Sequence, residues 1–303
     1  MNASIWSLRG IGWTLGIEPK RLEAVASSAD QYYQPFSKQE IGRKARHIDN
    51  PTGILKEVQQ RIYSKLLKPL QFPNHLHGGL KGRSAESNAR QHLAKKCVLH
   101  IDIADFFPNV RDSQIYQAWT SLGYGASPAR LLTRLTTYEH HLPQGAATST
   151  ALANLVLLES DLVILEPARA QDADFTRFVD DLNLSGDSPQ LLIHGTITAL
   201  RDAGFRVSRK KLELMYSNGL QEVTGLGVNS PSGPSVPRYK RDRVRAGVHC
   251  LADIKSDSER EKAKQVLMGR IGYINRTNPG AARALKRQMA EVLGATIGSK
   301  TSS

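Results

Sequence analysis

The sequence has little cysteine, less acidic than basic charge and no long apolar run. Its two cysteines, Cys97 and Cys250, lie far apart and lack metal-ligand spacing, which excludes a disulfide framework and a cysteine-ligated zinc site. No run of about 18 apolar residues occurs, so no membrane-spanning helix is predicted. The first residues, MNASIWSLRGIGWTLG, lack the charged start and apolar stretch of a signal peptide. We therefore expect a cytoplasmic protein with no membrane partner.

The shortage of acidic residues leaves a large positive charge. Lysine and arginine total 41 against 28 aspartate and glutamate residues, which gives a formal net charge of +13. A surplus of this size favours a polyanionic partner, and nucleic acid before membrane. The 303 residues are 40% hydrophobic, so the chain can bury a core and form two or three subdomains.

Apolar periodicity predicts strands separated by helices. Leu55, Val58, Ile62 and Leu66 mark one face of a helix within residues 51–70. The remaining predicted elements are a strand opening at 95–107, helices at 127–140 and 149–162, a hairpin at 175–185, a helix at 189–203, and strands at 205–208, 212–216 and 221–228. This order predicts an α+β fold, in which helices back a mixed sheet.

Two adjacent carboxylates interrupt the predicted hairpin. In FTRFVDDLNLSG, Asp180 and Asp181 stand between two alternating apolar runs, where aspartate could simply form a solvated turn. Asp102, in HIDIADFF, ends an apolar strand, so a strand end and a hairpin tip could bring three carboxylates together. Such like charges are costly unless a cation neutralises them, and hard divalent ions prefer oxygen ligands. Paired ions of this kind serve in-line phosphoryl transfer.

Five segments in this order resemble the successive palm motifs of reverse transcriptases: HIDIADFF, LPQGAATSTALAN, FTRFVDDLNLSG, GFRVSRKKLEL and VTGLGVN. NARQH at 88–92 and VTG at 223–225 resemble two elements of retron reverse transcriptases in particular. The resemblance implies a right-hand polymerase fold. Its expected parts are an N-terminal helical extension at 1–36, fingers at 37–94, a palm at 95–229 with some finger elements interleaved, a linker at 230–237, and an RNA-binding helical thumb at 238–303.

The resemblance also implies a catalytic centre and a nucleotide site. Asp102, Asp180 and Asp181, with the carbonyl of Ile103, would hold two Mg²⁺ ions. Phe107 would lie beneath the incoming sugar and exclude a 2′-hydroxyl. The other implied contacts to dNTPs are Gln144 and Gly145 at the nascent base pair, Lys211 near the departing pyrophosphate, and Arg83 with Lys81 at the triphosphate.

Further residues are expected to contact primer, template or RNA. The resemblance places Val223, Thr224 and Gly225 at the primer end. Phe178, where the family usually has tyrosine, lies beside the aspartate doublet. Asn88 and His92 could share a helix face and either form a local hydrogen-bond network or touch RNA.

Two groups of residues have structural alternatives. The basic stretch after the linker could be a solvated helix face, although the interleaved Tyr239 favours an RNA-binding surface. Its basic members are Arg238, Lys240, Arg241, Arg243 and Arg245. Several histidines, including His75 and His100, have no spacing typical of a metal site and are expected in the core or on the surface.

The sequence departs from the family at several positions. Ala147 and Thr150 replace prolines, and Ser208–Arg209 replaces an Asn-Pro pair. None of these changes removes an implied metal ligand, so we expect activity.

The resemblance implies an RNA-directed DNA polymerase of a retron. It would copy part of its own structured noncoding RNA into a single-stranded DNA product, branched from the RNA, and act in antiphage defence with a separately encoded effector protein. Two alternatives stay open. One is a reverse transcriptase of another prokaryotic class, such as an abortive-infection or group II intron-like enzyme. The other is a noncatalytic RNA-binding scaffold with the polymerase fold.

Overall fold

The computed structural model describes residues 6–39 and 45–300, and side chains as far as residue 294. Residues 1–5, 40–44 and 301–303, which fall in the predicted extension, fingers and thumb, lie outside the described residues. The chain forms two compact units. The N-terminal unit comprises Met1–Ser84 and Leu99–Leu214, and the C-terminal unit comprises Ala85–Val98 and Met215–Ser303.

The N-terminal unit contains most of the helices and two sheets. Its helices are α1 Leu8–Leu15, α2 Pro19–Ser27, α3 Gly53–Ile62, α5 Phe106–Asn109, α6 Asp112–Ser121, α7 Ala126–Thr136, α8 Ser149–Val156, α9 Leu158–Ala170 and α10 Ile193–Asp202. A short π-helix, Tyr63–Leu67, extends α3. The four apolar residues predicted to share a face of this helix are all buried in the core of the unit.

Two sheets organise the strands of this unit. An antiparallel pair joins β1 Tyr33–Lys38 to β2 Arg46–Pro51. The larger sheet has the order β4–β5–β3–β6, formed by β3 Cys97–Asp102, β4 Asp174–Phe178, β5 Asp181–Gly186 and β6 Glu213–Tyr216. The boundary between the units passes through β3 and β6. Helices and an antiparallel hairpin in one chain confirm the predicted α+β class.

The C-terminal unit has its own apolar core. Its elements are α4 Ala85–Ala89, the hairpin strands β7 Glu222–Val223 and β8 Leu226–Gly227, and the helices α11 Arg238–His249, α12 Asp257–Thr277 and α13 Pro279–Lys300. Each of these elements contributes at least one buried side chain to a single apolar cluster, for example Ala89, Val223, Leu226, Val244, Ile271 and Leu285. None of the helices within the described ranges combines the length and apolar character that a membrane crossing requires.

The predicted linker at 230–237 lies inside the C-terminal unit. Gly227 and Ser235 exchange two backbone hydrogen bonds, of 2.7 and 3.0 Å, and Val236 is only 2% exposed. The compact units therefore divide the chain elsewhere than at this segment, and they also place 85–98 with the C-terminal residues. Proline and glycine mark this segment as a turn, but their presence does not show whether neighbouring residues pack onto the same core.

Some predictions of secondary structure need correction. β1 and β2 are absent from the sequence prediction because five of the six β1 residues are exposed and lack an alternating apolar pattern. The segment 205–208, predicted as a strand, contributes only an isolated bridge between Ile103 and Val207. The helix predicted over 149–162 is two helices, which meet at Leu157.

The tip of the β4–β5 hairpin is strained. Phe178 pairs with Asp181, so only Val179 and Asp180 form the loop. Val179 has φ +63°, a left-handed conformation that costs a β-branched residue about 1–3 kcal/mol. Two-residue hairpin loops usually place glycine where φ must be positive. Here the glycine lies on the neighbouring loop instead, since a Cβ added to Gly78 would stand 2.6 Å from the Val179 nitrogen.

Gly78→Ala should therefore destabilise the N-terminal unit, because either the loop or the strained turn must move. We expect the free energy of unfolding to fall by about 1–3 kcal/mol, the usual cost of overpacking. Gly195→Ala is the matched control, since nothing lies within 4 Å of a Cβ on this helical glycine. It should be neutral or stabilise by up to about 1 kcal/mol. Equal urea midpoints for the two variants would show that the turn tolerates the methyl group.

Candidate active site

The end of β3 and the tip of the β4–β5 hairpin meet in the N-terminal unit. The backbone amide of Ile103 donates to the Asp180 carbonyl at 3.1 Å. The amide of Ser208 donates to the Asp102 carbonyl at 2.8 Å, which brings the segment 205–208 alongside the end of β3. These bonds join three stretches of chain, of which the carboxylate pattern predicts that two meet, the end of β3 and the hairpin tip.

Two of the three predicted aspartates contribute directly to a cluster of potential metal ligands. Ligand atoms of His100, Asp102 and Asp181 all lie within 4.8 Å of one another. The carboxylate of Asp180 is not a member of this cluster, although its charge acts on Asp181 and the Asp102 charge acts on it. Asp102 is 4% exposed, whereas both residues of the doublet are half-buried.

The crowding of carboxylates opposes their ionisation. Burial, and after it the charges of Asp180 and Asp102, together raise the pKa of Asp181 to about 8, with Lys211 opposing the shift. Burial also raises the pKa of Asp180 above its ordinary value, with Asp102 adding to the effect and Lys211 and Arg46 opposing it. The fold thus holds an oxygen-rich donor set that a divalent cation would neutralise.

Lys211 supplies a fixed positive charge at this site. Its Nζ donates to Asp102 Oδ2 at 2.8 Å, and 62% of its side chain is exposed. Burial lowers its pKa, but the hydrogen bond to Asp102 and the surrounding carboxylates outweigh this effect and raise it. The resemblance implies that Lys211 lies near the departing pyrophosphate. In the structure its ammonium group bonds to the carboxylate of Asp102.

His100 is a member of the cluster that the sequence prediction assigned to the core or surface. Its Nε2 lies 3.8 Å from Asp181 Oδ1, and its Nδ1 lies 3.2 Å from Asn183 Oδ1. A signal for this placement exists, because residues two apart on a strand share a face and His100 precedes Asp102 by two.

Strand β2 holds the loop that contains Gln144 and Gly145. The amide of Asp49 donates to the Gln144 carbonyl at 2.9 Å, and Asp49 Oδ2 accepts from the Gln144 amide at 2.9 Å. Asp49 is 2% exposed, with His47 and His141 beside its carboxylate. Gly145 has φ +121°, and an added Cβ would lie 2.9 Å from Ile48. No sequence pattern singled out Asp49, because its contact spans 95 residues.

The remaining predicted nucleotide contacts occupy different surroundings. Arg83 donates to the carbonyls of Phe72, Pro73 and Leu76, so its guanidinium closes this loop. Contact with a triphosphate would require Arg83 to leave these carbonyls, whereas Lys81 is exposed. Phe107 is half-buried and meets the ring of Phe106 edge-on at 5.6 Å.

The two elements that resemble retron enzymes come together in the C-terminal unit. Thr224, with φ +47°, donates its hydroxyl to the Ala85 carbonyl at 2.9 Å, so VTG joins the start of α4, which leads into NARQH. Asn88 and His92 are both fully buried, which disfavours direct contact of their side chains with RNA. Neither polar atom of the Asn88 side chain has a hydrogen-bond partner among the described residues.

The basic residues of α11 differ in their availability. Lys240 donates to Glu222 at 2.6 Å and to the Gly225 carbonyl at 2.8 Å, so it anchors the β7–β8 turn. Arg241 is half-buried. Three arginines of this helix are exposed, namely Arg238, Arg243 and Arg245. Asp242 pairs with the first and the last of these, at 3.5 and 2.6 Å.

Comparison with known proteins identifies similar chains. The family model described as "Reverse transcriptase (RNA-dependent DNA polymerase)" matches residues 37–251. The Mx65 retron reverse transcriptase of Myxococcus xanthus is 33% identical over 85% of this chain and 64% of its own length. The Se72 retron reverse transcriptase of Salmonella heidelberg is 28% identical over 79% and 65%, respectively. The Ec86 retron reverse transcriptase of Escherichia coli is 29% identical over 77% and 74%.

The pKa of Asp181 predicts how the metal-free protein responds to pH. Its folded pKa lies above the unfolded value, so the native state binds more protons between about pH 4 and pH 8. The free energy of unfolding should therefore fall as pH rises through this range, by at most about 1.4 kcal/mol per pH unit. Urea unfolding in EDTA at pH 5, 6, 7 and 8 measures this slope.

Asp181→Asn is the control for this titration. The variant should unfold with a shallower pH slope, because the amide binds no proton in either state. An unchanged slope would assign the pH dependence to other groups and contradict the raised pKa of Asp181.

Proposed function

Because the chain belongs to the reverse transcriptase family, we propose that it is an RNA-directed DNA polymerase that uses Asp102, Asp180 and Asp181 at its catalytic centre. The observation that carries this proposal is the meeting of Asp102 and Asp181 at one strand end, with Lys211 bonded to Asp102. The chain spans 64% and 65% of the length of the Mx65 and Se72 relatives, so the activity of the whole protein is part of the proposal.

The donor set fits two Mg²⁺ ions. Asp102, Asp180, Asp181 and the carbonyl of Ile103 would hold them, since this ion prefers oxygen ligands and takes few carboxylates. Bound there, the ions would lower the pKa of the attacking 3′-hydroxyl and neutralise the charge on the leaving pyrophosphate. The raised pKa values of both residues of the doublet support this assignment, because a divalent cation would offset the burial and the carboxylate repulsion that cause them.

The chain's own residues would orient the substrates. Lys211 would release Asp102 to the ions and turn its ammonium group to the pyrophosphate as a charge partner and proton donor. Phe107 would support the sugar and exclude a ribose 2′-hydroxyl. Gln144 and Gly145 would line the nascent base pair, on the loop that Asp49 holds. Lys81 and, once freed, Arg83 would approach the triphosphate.

We further propose a retron role for the protein, since its curated relatives carry that name. It would copy part of a cognate noncoding RNA into single-stranded DNA branched from that RNA, and would act in antiphage defence with a separate effector. The exposed arginines of α11 would bind the RNA, and the VTG turn would contact the primer end, with Phe178 beside the doublet. Sequencing the copurifying nucleic acid, including its 2′–5′ linkages, tests this role against another prokaryotic reverse transcriptase.

Asp180→Asn tests catalysis separately from RNA binding. With an RNA template and a DNA primer, we expect the rate of Mg²⁺-dependent DNA synthesis to fall by at least about 100-fold. RNA affinity measured by filter binding should stay within about threefold, because one carboxylate changes the phosphate contacts little. Asp187→Asn, at an exposed position after β5, is the matched control and should retain activity. DNA synthesis by Asp180→Asn at the wild-type rate would contradict the assignment, whereas inactive wild type that binds RNA would favour the scaffold alternative.

Asp49→Ala tests the hold on the Gln144 loop. The variant loses the acceptor of the Gln144 amide, and an unsatisfied buried donor costs about 1–2 kcal/mol, so the KM for dNTPs should rise about 5- to 30-fold. The matched control is Asp112→Ala, whose carboxylate pairs with exposed His140 at 2.8 Å. Steady-state primer extension measures both variants. An unchanged KM in Asp49→Ala would show that the loop positions the nucleotide without this contact.

A further inference from the structure

A buried arginine lies directly before the strained hairpin tip. Arg177, on β4, is fully buried, and its guanidinium binds Asp161 on α9 through two hydrogen bonds of 2.7 and 2.6 Å. Nη1 donates to Asn154 Oδ1 at 3.0 Å and to the Val179 carbonyl at 2.8 Å. His75 completes the surroundings of Asp161, with Nε2 3.2 Å from Oδ2.

The same arginine aligns the neighbouring loop with the turn. The Arg177 amide donates to the His75 carbonyl at 2.8 Å, and the His77 amide donates to the Arg177 carbonyl at 2.9 Å. Asn154 continues the contact, because its Nδ2 donates to the Gly78 carbonyl at 3.0 Å. A Cβ at Gly78 would collide with Val179, so there is room only for glycine at this position.

This arrangement goes beyond what neutralising a buried charge requires. The pair with Asp161 already satisfies Nε and one terminal nitrogen of Arg177. The remaining terminal nitrogen binds the carbonyl of the one residue in the turn whose backbone is left-handed. That carbonyl belongs to the peptide that leads into Asp180, so its direction sets where the aspartate doublet begins.

We propose that Arg177 is a positioning residue for the aspartate doublet, because it holds the Val179 carbonyl and thereby keeps the turn in its strained conformation. The inference rests on the proposed polymerase function. Lysine cannot replace arginine in this role, since a single ammonium group does not match the bidentate carboxylate and also reach the carbonyl.

The first test compares Arg177→Lys with Arg61→Lys. Arg61 is the matched control, because its Nη1 also donates to backbone carbonyls, those of Leu15 and Gly16, at 3.0 Å each. In Arg177→Lys, Mn²⁺ affinity measured by electron paramagnetic resonance without substrates should fall about 10- to 100-fold, and kcat should fall with it. The KM for dNTPs should stay within about threefold, because the Gln144 loop is untouched.

The second test is rescue by glycine. Glycine adopts the left-handed conformation without steric cost, so it does not need the carbonyl to be held. The double variant Arg177→Lys/Val179→Gly should therefore recover Mn²⁺ affinity by at least about fivefold relative to Arg177→Lys. A merely structural role for Arg177 predicts no recovery, since the substitution at Val179 restores no buried ion pair.

A third variant covers the case in which Arg177→Lys does not fold. Arg177→Met/Asp161→Leu removes both buried charges, and such replacements are often neutral or stabilising. It still lacks a donor to the Val179 carbonyl, so it should show the same loss of Mn²⁺ affinity. Melting temperatures establish that each variant is folded under the assay conditions.

The outcomes separate this inference from the proposed function. Three results would each overturn the role of Arg177. They are wild-type Mn²⁺ affinity in folded Arg177→Lys or in Arg177→Met/Asp161→Leu, an equal loss of affinity in Arg61→Lys, and failure of the glycine rescue. If wild type itself binds no Mn²⁺ and makes no DNA, the proposed function fails first. Loss of affinity in both Arg177 variants with recovery by glycine supports the positioning role.

Discussion

The burial of carboxylates that repel one another is the constraint on which the rest of the site depends. The fold brings Asp102 and Asp181 together at one strand end and half-buries the doublet, and both steps oppose ionisation. At neutral pH this arrangement opposes folding, because the pKa values of both residues of the doublet stay raised although the charge of Lys211 lowers them. The arrangement is understandable as a site that stays incomplete until a cation and an anionic substrate arrive.

The surrounding structure keeps the site in place with contacts that are themselves costly or demanding. Val179 adopts a left-handed backbone conformation, position 78 has room only for glycine, and Arg177 is a buried charge beside the turn. Across the same unit, Asp49 performs the equivalent task for the Gln144 loop with a buried carboxylate. In both places a buried charged group fixes a backbone carbonyl or amide, so loop residues gain the rigidity of the sheet and helices around them.

Sequence reasoning found the parts of the site that have local signatures. The strand ending in Asp102 follows from a buried apolar run and the hairpin at Asp180–Asp181 from alternating apolar residues, and both form as predicted. Contacts between distant segments produce no local sequence pattern. For this reason the sequence did not single out Asp49 or the Asp161–Arg177 pair. The same reason explains three further features that the sequence did not predict. They are the burial of Asn88, the bonds that occupy Arg83 and Lys240, and the packing of the 230–237 segment. Each depends on a partner that the residue's own neighbourhood in the sequence does not identify.

The most direct measurement is anomalous diffraction from crystals grown with Mn²⁺, an RNA template and a chain-terminated DNA primer. Convergence of the three carboxylates around metal predicts two anomalous peaks about 3.5–4 Å apart, both within coordination distance of Asp102 and the doublet. Peaks located elsewhere, or an empty space between these aspartates with template and primer bound, would contradict the central claim.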